Sequence, residues 1–254
     1  ISYSPITAEG TEANPVQIIG TNDPENHGFQ VITNGEKSSL KHVHFKGMNA
    51  LRRPGWNLTG GTTFYNGEVE LSNCIFQDNI CEDALNLVRC SFTMEGCTVT
   101  KAFADGFDGD FCQGTISNSK FSYTANDCVD FSGSEIIITN CIVDASNDKG
   151  ISGGEGSSIE VNSTSILSSN IAVASKDGSS VSLTDCSISD CKLVYACYQK
   201  KDEYGPSSIT AKNSDIESCE NHDLIQVGST LQAEGKLFEG KATVNIDSLY
   251  APFR

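Results

Sequence analysis

Carboxylate side chains recur at a nearly fixed interval in the middle of this chain. Three segments, which begin at Asp105, Asp127 and Asp148, carry acidic residues in matching places, and the steps between them are 22 and 21 residues long. Carboxylate oxygens are good ligands for Ca²⁺, which takes about six to eight oxygen atoms. The pattern therefore predicts a calcium site with these ligands: Asp105, Asp108, Asp110, Asp127, Asp130 and Asp148.

A turn-forming role is the alternative for the same aspartates. Asp and Asn side chains bond to nearby backbone groups in turns, and a repeated turn repeats its turn residues. The metal interpretation gains from the clustering, because the acids are dense between Asp105 and Asp148 and sparse around Ala172 and Val173. Both interpretations stay open from the sequence.

Lysines stand close to the acids along the chain. Lys149 follows Asp148 directly, and Lys176 lies in the segment Ser175–Asp177. A lysine at the edge of a calcium site could remove the proton α to a uronate carboxylate while the metal neutralises that carboxylate. Lys149 and Lys176 are therefore the candidate catalytic bases, and a solvated ion pair with a nearby acid is the alternative for each.

Four further residues are candidates for contact with a sugar polymer. Trp56 follows two arginines and could stack on a sugar ring, although it could equally pack on its own chain. Tyr198, Lys200 and Lys201 lie at the start of a lengthened turn, Gln199–Pro206, and insertions in repeat proteins often mark the binding face.

A second motif keeps the same interval over most of the chain. An apolar residue, an Asn or small residue, a Cys or small residue and a second apolar residue recur in six segments: Leu71–Phe76, Met94–Val99, Ile116–Phe121, Ile138–Val143, Val161–Ile166 and Leu183–Ile188. A fixed period indicates a solenoid whose units bury their apolar faces by stacking. Because no helical periodicity is long enough to form a helix, we predict an all-β fold: a right-handed parallel β-helix (β-solenoid) with coils of about 22 residues.

Residues one period apart should lie above one another, about 4.8 Å apart. One such column is rich in asparagine and should form a turn. The next holds Cys74, Cys97, Cys141 and Cys186, which we expect to be buried thiols, because Cys packs as a small hydrophobe. A disulfide framework is the alternative for a chain with 11 cysteines.

We expect a single domain over residues 1–254. It should have irregular N-terminal coils and a cap over 1–67, regular coils over 68–229 and a C-terminal cap over 230–254. The segment Leu51–Tyr65 breaks the repeat and is interpreted as a lateral flap.

The net charge of the chain limits the classes of partner that it is expected to bind. Lys and Arg number 17 and Asp and Glu 33, so the formal charge is −16. Such a chain repels nucleic acid and anionic lipid, so no nucleic-acid partner is expected. Without a run of about 18 apolar residues, no membrane insertion is expected either. An acidic polymer could bind if cations bridge it to the protein.

Familiar sites of other kinds are absent from the sequence. His42 and His44 share one face of a predicted strand, but no third zinc ligand has the right spacing. Paired carboxylates on successive coils could also serve glycoside hydrolysis, where a separation of about 5 Å implies retention of configuration. Polygalacturonase-like enzymes use such acids on this fold, but their Asn-Thr-Asp and Gly-His-Gly motifs are absent from this sequence.

The repeat resembles the right-handed parallel β-helix superfamily. Asp105-Gly-Phe-Asp108 looks like the Asp-Gly-Phe-Asp signature of calcium-dependent pectate lyases whose base is a lysine. That resemblance implies that Asp105 and Asp108 are metal ligands, with Asp127 and Asp130 contributed by the next coil.

A broader similarity covers most of Gly60–Ser229. It is to bacterial right-handed β-helix repeat proteins with no settled activity, and four segments carry it: Glu82–Asn86, Asp130–Ser134, Asp148–Ser152 and Tyr198–Lys201.

We therefore expect an extracellular or cell-surface β-helix that recognises acidic polysaccharide on a lateral acidic face. Its candidate reaction is calcium-assisted β-elimination by a polysaccharide lyase. The alternative is a non-catalytic structural or adhesion module of a cell-surface protein, in which the acids only form turns.

Overall fold

A computed structural model describes residues 1–21, 28–53, 56–241 and 243–244. Within those ranges the chain winds as a right-handed parallel β-helix, and each full coil contributes one strand to each of three sheets. This confirms the predicted fold class. The described ranges contain no helix that is long and apolar enough to cross a membrane.

Sheet 1 and sheet 2 form two sides of the coil. Sheet 1 contains β1 (Thr7–Glu9), β4 (Lys37–Lys41), β9 (Glu68–Ser72), β12 (Ser91–Glu95), β15 (Gln113–Ser117), β18 (Glu135–Thr139), β21 (Ser158–Asn162), β24 (Ser180–Thr184), β27 (Ser208–Lys212), β30 (Thr230–Ala233) and β31 (Lys236–Glu239). Sheet 2 contains β2 (Val16–Ile19), β5 (Val43–Lys46), β10 (Ile75–Gln77), β13 (Thr98–Ala102), β16 (Lys120–Thr124), β19 (Ile142–Ser146), β22 (Ser165–Leu167), β25 (Ser187–Ser189) and β28 (Asp215–Glu217).

Sheet 3 forms the third side and carries the candidate site. Its strands are β3 (Phe29–Ile32), β8 (Gly60–Tyr65), β11 (Asp83–Val88), β14 (Asp105–Asp110), β17 (Val129–Ser132), β20 (Lys149–Gly154), β23 (Ile171–Lys176), β26 (Leu193–Tyr198) and β29 (Asn221–Ile225). A short hairpin outside the coils pairs β6 (Arg52–Arg53) with β7 (Trp56–Asn57) in antiparallel fashion.

The core fills the interior of the coils with stacked apolar side chains. In sheet 2, Phe76 pairs with Val99, Val99 with Phe121 and Phe121 with Val143, and all four side chains are buried. Each side chain covers the one below it, so every coil depends on its neighbours for a dry interior.

The asparagine-rich column lies at the corner between sheets 1 and 2. Asn73, Asn118 and Asn140 have φ values of 53°, 51° and 55°, in the left-handed region that Asn tolerates better than most residues. The Asn140 amide donates a hydrogen bond of 2.5 Å to Asn118 Oδ1. Amides therefore bond from coil to coil, as predicted.

The cysteine column lies just inside the same corner. Cys74, Cys97, Cys141 and Cys186 are buried free thiols, as predicted. Cys74 N donates to Cys97 Sγ at 3.3 Å, so the thiols also help to satisfy backbone groups at the turn.

The predicted flap is only partly correct. Its first half holds the β6–β7 hairpin, but its second half, Gly60–Tyr65, is the regular strand β8 in sheet 3. Gly61 is required there for close packing, because a Cβ on it would lie 2.9 Å from Met48 Cβ. The glycine pair thus marks a tight contact rather than a turn.

The C-terminal part covers two surfaces. The antiparallel pair β30–β31 protects the edge of sheet 1. Farther on, Val244 packs on the outer face of sheet 3 against an apolar cluster: Ile171, Ala174, Ala196 and Tyr198.

Candidate functional site

Adjacent parallel strands bring the acids together on the outer face of sheet 3. Inward-facing Leu85, Phe107 and Val129 pair in register and are fully buried. Because side chains alternate along a strand, the next residues face outward. One outward column is Asn86, Asp108, Asp130 and Ser152, and another is Val88, Asp110, Ser132 and Gly154.

The column predicted from Asp105, Asp127 and Asp148 differs from expectation at Asp148. Asp83 pairs with Asp105, and Asp127 stands two residues before Val129. Val129 pairs with Ile151, and two residues before Ile151 stands Lys149. Lys149, not Asp148, therefore continues the column. We call Asp83, Asp105, Asp108, Asp110, Asp127 and Asp130 the acidic face.

Lys149 lies between two carboxylates below the surface. Its Nζ donates a hydrogen bond of 3.0 Å to Asp127 Oδ1 and a second one to Asp148 Oδ2, and its side chain is only 3% exposed. The single positive charge of Lys149 is thereby shared between two buried carboxyl groups. A polymer on the surface would have to displace them to reach the amine.

Lys176 spans a whole coil to reach the acidic face. Its Nζ lies 3.4 Å from Asp130 Oδ1, and the two residues are separated by 46 positions in the chain. Gly154 lies under its path, and a Cβ there would be 3.5 Å from Lys176 Cε. The glycine therefore leaves room for the long side chain to lie along the sheet.

Asp105 and Asp127 also bind backbone groups, as the turn interpretation expects. Asp105 Oδ1 accepts hydrogen bonds from Asn126 Nδ2 at 2.6 Å and from Asp127 N at 2.8 Å. Asp127 Oδ1 accepts one from Lys149 N at 3.0 Å. Each carboxylate thereby ties its own turn to the turn of the next coil.

Asp108 and Asp130 are neighbours with opposite shifts in pKa. Burial, together with the charges of Asp83, Asp110 and Asp130, holds the pKa of Asp108 well above its usual range. For Asp130, burial acts against the charge, but the Lys176 and Lys149 ammonium groups outweigh it and lower the pKa. The pKa values of these two neighbouring carboxyl groups are therefore driven in opposite directions.

The remaining acids are shifted upward as well. Burial raises the pKa of Asp83 to about 7, and burial opposed by Lys149 raises that of Asp127 to about 6. Burial and the neighbouring charges of Asp127 and Asp130 raise the pKa of Asp105, and burial raises that of Asp110. Five of the six carboxyl groups of the acidic face therefore have raised pKa values, and Asp130 is the exception.

The acids do not form a ready ligand set for a metal. Among the described residues, no group of three or more His, Cys, Asp or Glu side chains is placed to hold a metal ion. Asp127 and Asp130 face lysines, and Asp105 binds a backbone amide. The calcium site stays a prediction.

The predicted sugar contacts are dispersed. Tyr198 is fully buried in the apolar cluster under Val244, and Lys200 is exposed on the lengthened turn. Lys201 forms an ion pair with Glu155, whose Oε2 accepts a hydrogen bond of 2.6 Å from Ser132 Oγ. The side chain of Trp56 lies outside what the structure describes.

An open pocket of about 770 Å³ adjoins one end of the acidic face. Its lining includes Phe103, Ile80, Glu82, Asn57 and Thr59. Asp83 N donates a hydrogen bond of 3.5 Å to Thr59 O, so the pocket adjoins the first carboxyl group of the acidic face. Sequence reasoning missed this pocket and Glu155, although Phe103 and Phe111 stand directly beside the acidic segment Asp105–Asp110.

Comparison with known proteins agrees with the fold. A family model for the right handed beta helix region matches residues 108–248. An alginate lyase from Paenibacillus sp. str. FPU-7 is 11% identical with a TM-score of 0.51, over 88% of this chain and 86% of that one. Pectate lyase Pel9A is also 11% identical, with a TM-score of 0.46 over 88% and 68% of the two chains. No curated protein matches this sequence significantly.

Proposed function

Because this chain belongs to the right-handed β-helix family, we propose that its acidic face binds a polysaccharide and cleaves it by hydrolysis at Asp108 and Asp130. Proteins similar to it in fold include enzymes named for the polysaccharides alginate and pectate. At 11% identity that similarity concerns the fold alone. The support for chemistry comes from the site.

The opposite pKa shifts of Asp108 and Asp130 carry the proposal. Two carboxyl groups whose pKa values are driven apart can divide the roles of acid and base between them. Asp108 and Asp130 pair directly across β14 and β17, and paired strands lie about 4.8 Å apart. A separation of that order suits a retaining glycosidase.

The roles follow from protonation. Asp108 donates its proton to the glycosidic oxygen as the bond to the anomeric carbon breaks, and the Asp130 carboxylate attacks that carbon from the other side. Water then attacks the glycosyl ester and gives its proton to Asp108, which restores both groups. Lys176 keeps Asp130 ionised through the 3.4 Å contact, but it must release that carboxylate in part as the ester forms.

Elimination is the second candidate reaction, and Lys176 is the observation that favours it. It is 7% exposed where Lys149 is 3% exposed, and it ends beside Asp130 on the acidic face. To act as a base it would have to leave Asp130 and lose its proton. A non-catalytic module is the third possibility, supported by the backbone contacts of Asp105 and Asp127.

The reaction can be tested with a panel of xylan, dextran, polygalacturonate and alginate. Hydrolysis releases reducing ends without ultraviolet absorbance, whereas elimination yields an absorbing unsaturated product. We expect reducing ends alone, and a loss of at least about 100-fold in rate for Asp108→Asn and for Asp130→Asn. Asp144→Asn in β19 of sheet 2 is the control and should keep the parent rate.

Three results would count against hydrolysis. An absorbing product abolished by Lys176→Met would establish elimination instead. Binding without any product would leave a carbohydrate-binding module. A panel with neither binding nor product would remove the proposed function altogether.

Ca²⁺ would link the acidic face to an acidic polymer by binding carboxylates of both. The protein carries a charge of −16, so polygalacturonate or alginate should bind only where a cation screens or links the charges. We propose that Ca²⁺ is required for acidic polymers and dispensable for neutral ones. Binding assays with Ca²⁺ and with a chelator test this, and acidic polymers that bind equally in both would refute it.

An extracellular or cell-surface location is part of the proposal, because intact polysaccharides are met outside the membrane. Cell fractionation with an antibody to the protein tests it. Detection only in the cytoplasmic fraction would contradict it.

A further inference from the structure

Two exposed phenylalanines bracket the strand that carries most of the acidic face. Phe103 lies two residues before β14 and is 66% exposed, and Phe111 follows β14 directly and is 59% exposed. We infer that Phe103 and Phe111 stack against sugar rings, so that a polysaccharide crosses the acidic face along β14. This inference rests on the proposed function and specifies the path of the polymer.

Phe111 is held in place by the coils on either side. A Cβ at Gly133, one coil further on, would lie 2.8 Å from Phe111 Cδ1, so the ring occupies the space that the glycine leaves open. Arg89, one coil earlier, has its guanidinium carbon 5.7 Å from the ring centroid. The ring is therefore supported from both sides while much of it stays open to a ligand.

Phe103 lines the open pocket at the other end of β14. Its backbone N donates a hydrogen bond of 3.3 Å to Asn79 Oδ1, which fixes the turn. Ile80, another exposed apolar residue, lines the same pocket, and Glu82 O accepts a hydrogen bond of 2.8 Å from Asp105 N. The pocket thus leads directly onto the first aspartate of β14.

The chemistry of the surface favours a sugar polymer. One face of a pyranose ring is formed by C–H groups and can pack on the electron-rich face of an aromatic ring. Its hydroxyl groups remain free to bond with carboxylates beside it. A site that combines apolar surface with a few convergent polar groups suits such a ligand.

The arrangement of the aromatics sets the direction of the polymer. From Phe103 to Phe111 the chain advances eight residues, which corresponds to about 26 Å of extended strand. One coil before and after Phe103 stand Cys81 and Ala125. Phe111 has Arg89 and Gly133 in the same places. The aromatic pair therefore runs along the strand, and no aromatic row follows the helix axis at these positions.

The path is tested by titrating the parent protein and its variants with the binding polymer from the panel of xylan, dextran, polygalacturonate and alginate. We expect Phe103→Ala and Phe111→Ala each to raise Kd by roughly fivefold to tenfold. Phe111→Trp should bind at least as well as the parent, and Phe111→Leu should bind as poorly as Phe111→Ala, because leucine offers no aromatic face. Oligosaccharides too short to reach both rings should respond to only one of the two alanine variants.

Tyr3→Ala is the matched control. Tyr3 is 71% exposed. The preceding residue, Ser2, forms a β-bridge with Val31 of β3, and β3 is three strands away from β14 in sheet 3. Tyr3 is therefore an exposed aromatic residue away from the proposed path. Its loss should leave Kd unchanged, and thermal melts should show that every variant is folded.

The outcomes separate this path from the proposed function. If the parent binds and both Phe→Ala variants bind as tightly as the parent, the path is wrong and the proposed function stands. If Tyr3→Ala weakens binding as much as they do, the polymer follows the helix axis and the path is again wrong. If the parent binds no polymer, both fail.

Discussion

Individual residues of the acidic face balance buried charge in two ways. Lysines face Asp127 and Asp130, whereas burial raises the pKa values of Asp83, Asp105 and Asp108. An ion pair removes the cost of an isolated buried charge, and protonation removes the charge itself. Asp83, Asp105 and Asp108 lie on β11 and β14, whereas the two residues that face lysines lie on β17 or just before it.

Replacing Lys149 tests how much the buried ion pairs stabilise the fold. Lys149→Met should lower the free energy of unfolding by about 3 to 5 kcal/mol near neutral pH, because it leaves Asp127 and Asp148 buried without their shared cation. The loss should shrink on acidification, since Asp127, whose pKa is raised to about 6, can then take up a proton. Urea unfolding at about pH 8 and pH 5 measures both effects.

Lys37→Met is the control for that change. Lys37 forms ion pairs with Glu68 and Glu70, but its side chain is 50% exposed. An exposed pair contributes little to stability, because water screens its charges. If Lys149→Met costs no more than Lys37→Met, the buried ion pairs do not stabilise the fold as described.

The column of corner asparagines acts at the scale of the strand and its turn. Asn140 combines a left-handed backbone with the hydrogen bond to Asn118. Asn140→Ala should destabilise the protein by about 1 to 2 kcal/mol, because alanine lacks the amide and disfavours this backbone conformation. Asn140→Gly should cost less, since glycine removes only the hydrogen bond. Melting temperatures that rank the two variants in the opposite order would contradict this account.

The repeat made most elements predictable from sequence. Six copies of one motif fixed the period, and the period fixed the asparagine, cysteine and core columns, because residues one coil apart must stack. Where the spacing changed, prediction became less secure. Gly60–Tyr65 was interpreted as part of a flap because Leu51–Tyr65 breaks the repeat, whereas it forms the regular strand β8, in which Gly61 allows close contact with Met48.

The candidate site was less predictable than the strands around it. A spacing of 21 residues drew attention to Asp148, although the register gives its place to Lys149. The reach of Lys176 to Asp130 depends on side-chain length and on the small residue between them, and neither follows a period. Periodicity therefore located the acids, but it could not assign their partners.

The whole molecule should lose stability as the pH rises. Asp83 and Asp127 have pKa values raised to about 7 and about 6, above the usual value of roughly 3.9 for an unfolded chain. A raised pKa contributes stability that is complete below the unfolded value and is lost as pH passes through the folded one. Asp130 and Glu155, whose pKa values lie below normal despite burial, act in the opposite direction only in more acidic solution.

We therefore expect the melting temperature to be higher at about pH 5 than at about pH 8. Asp83→Asn should flatten this dependence, because it removes a carboxyl group whose pKa is raised to about 7 in the folded protein. Calorimetric scans across this range provide the measurement. Stability that increases steadily up to pH 8 would show that the buried acids are ionised in the folded protein without cost.

The contact between Lys176 and Asp130 also has a consequence for the order in which the protein is made. The two residues are 46 positions apart, so the acids of β14 and β17 leave the ribosome before the cation that one of them needs. At about 5 to 20 residues per second, that delay is roughly 2 to 9 s. During this interval the nascent coils carry a surplus of negative charge on sheet 3. Asp130 thus acquires its ion pair with Lys176 only once β23 has been made, and a chain stalled before that point would carry the acidic face without this cation.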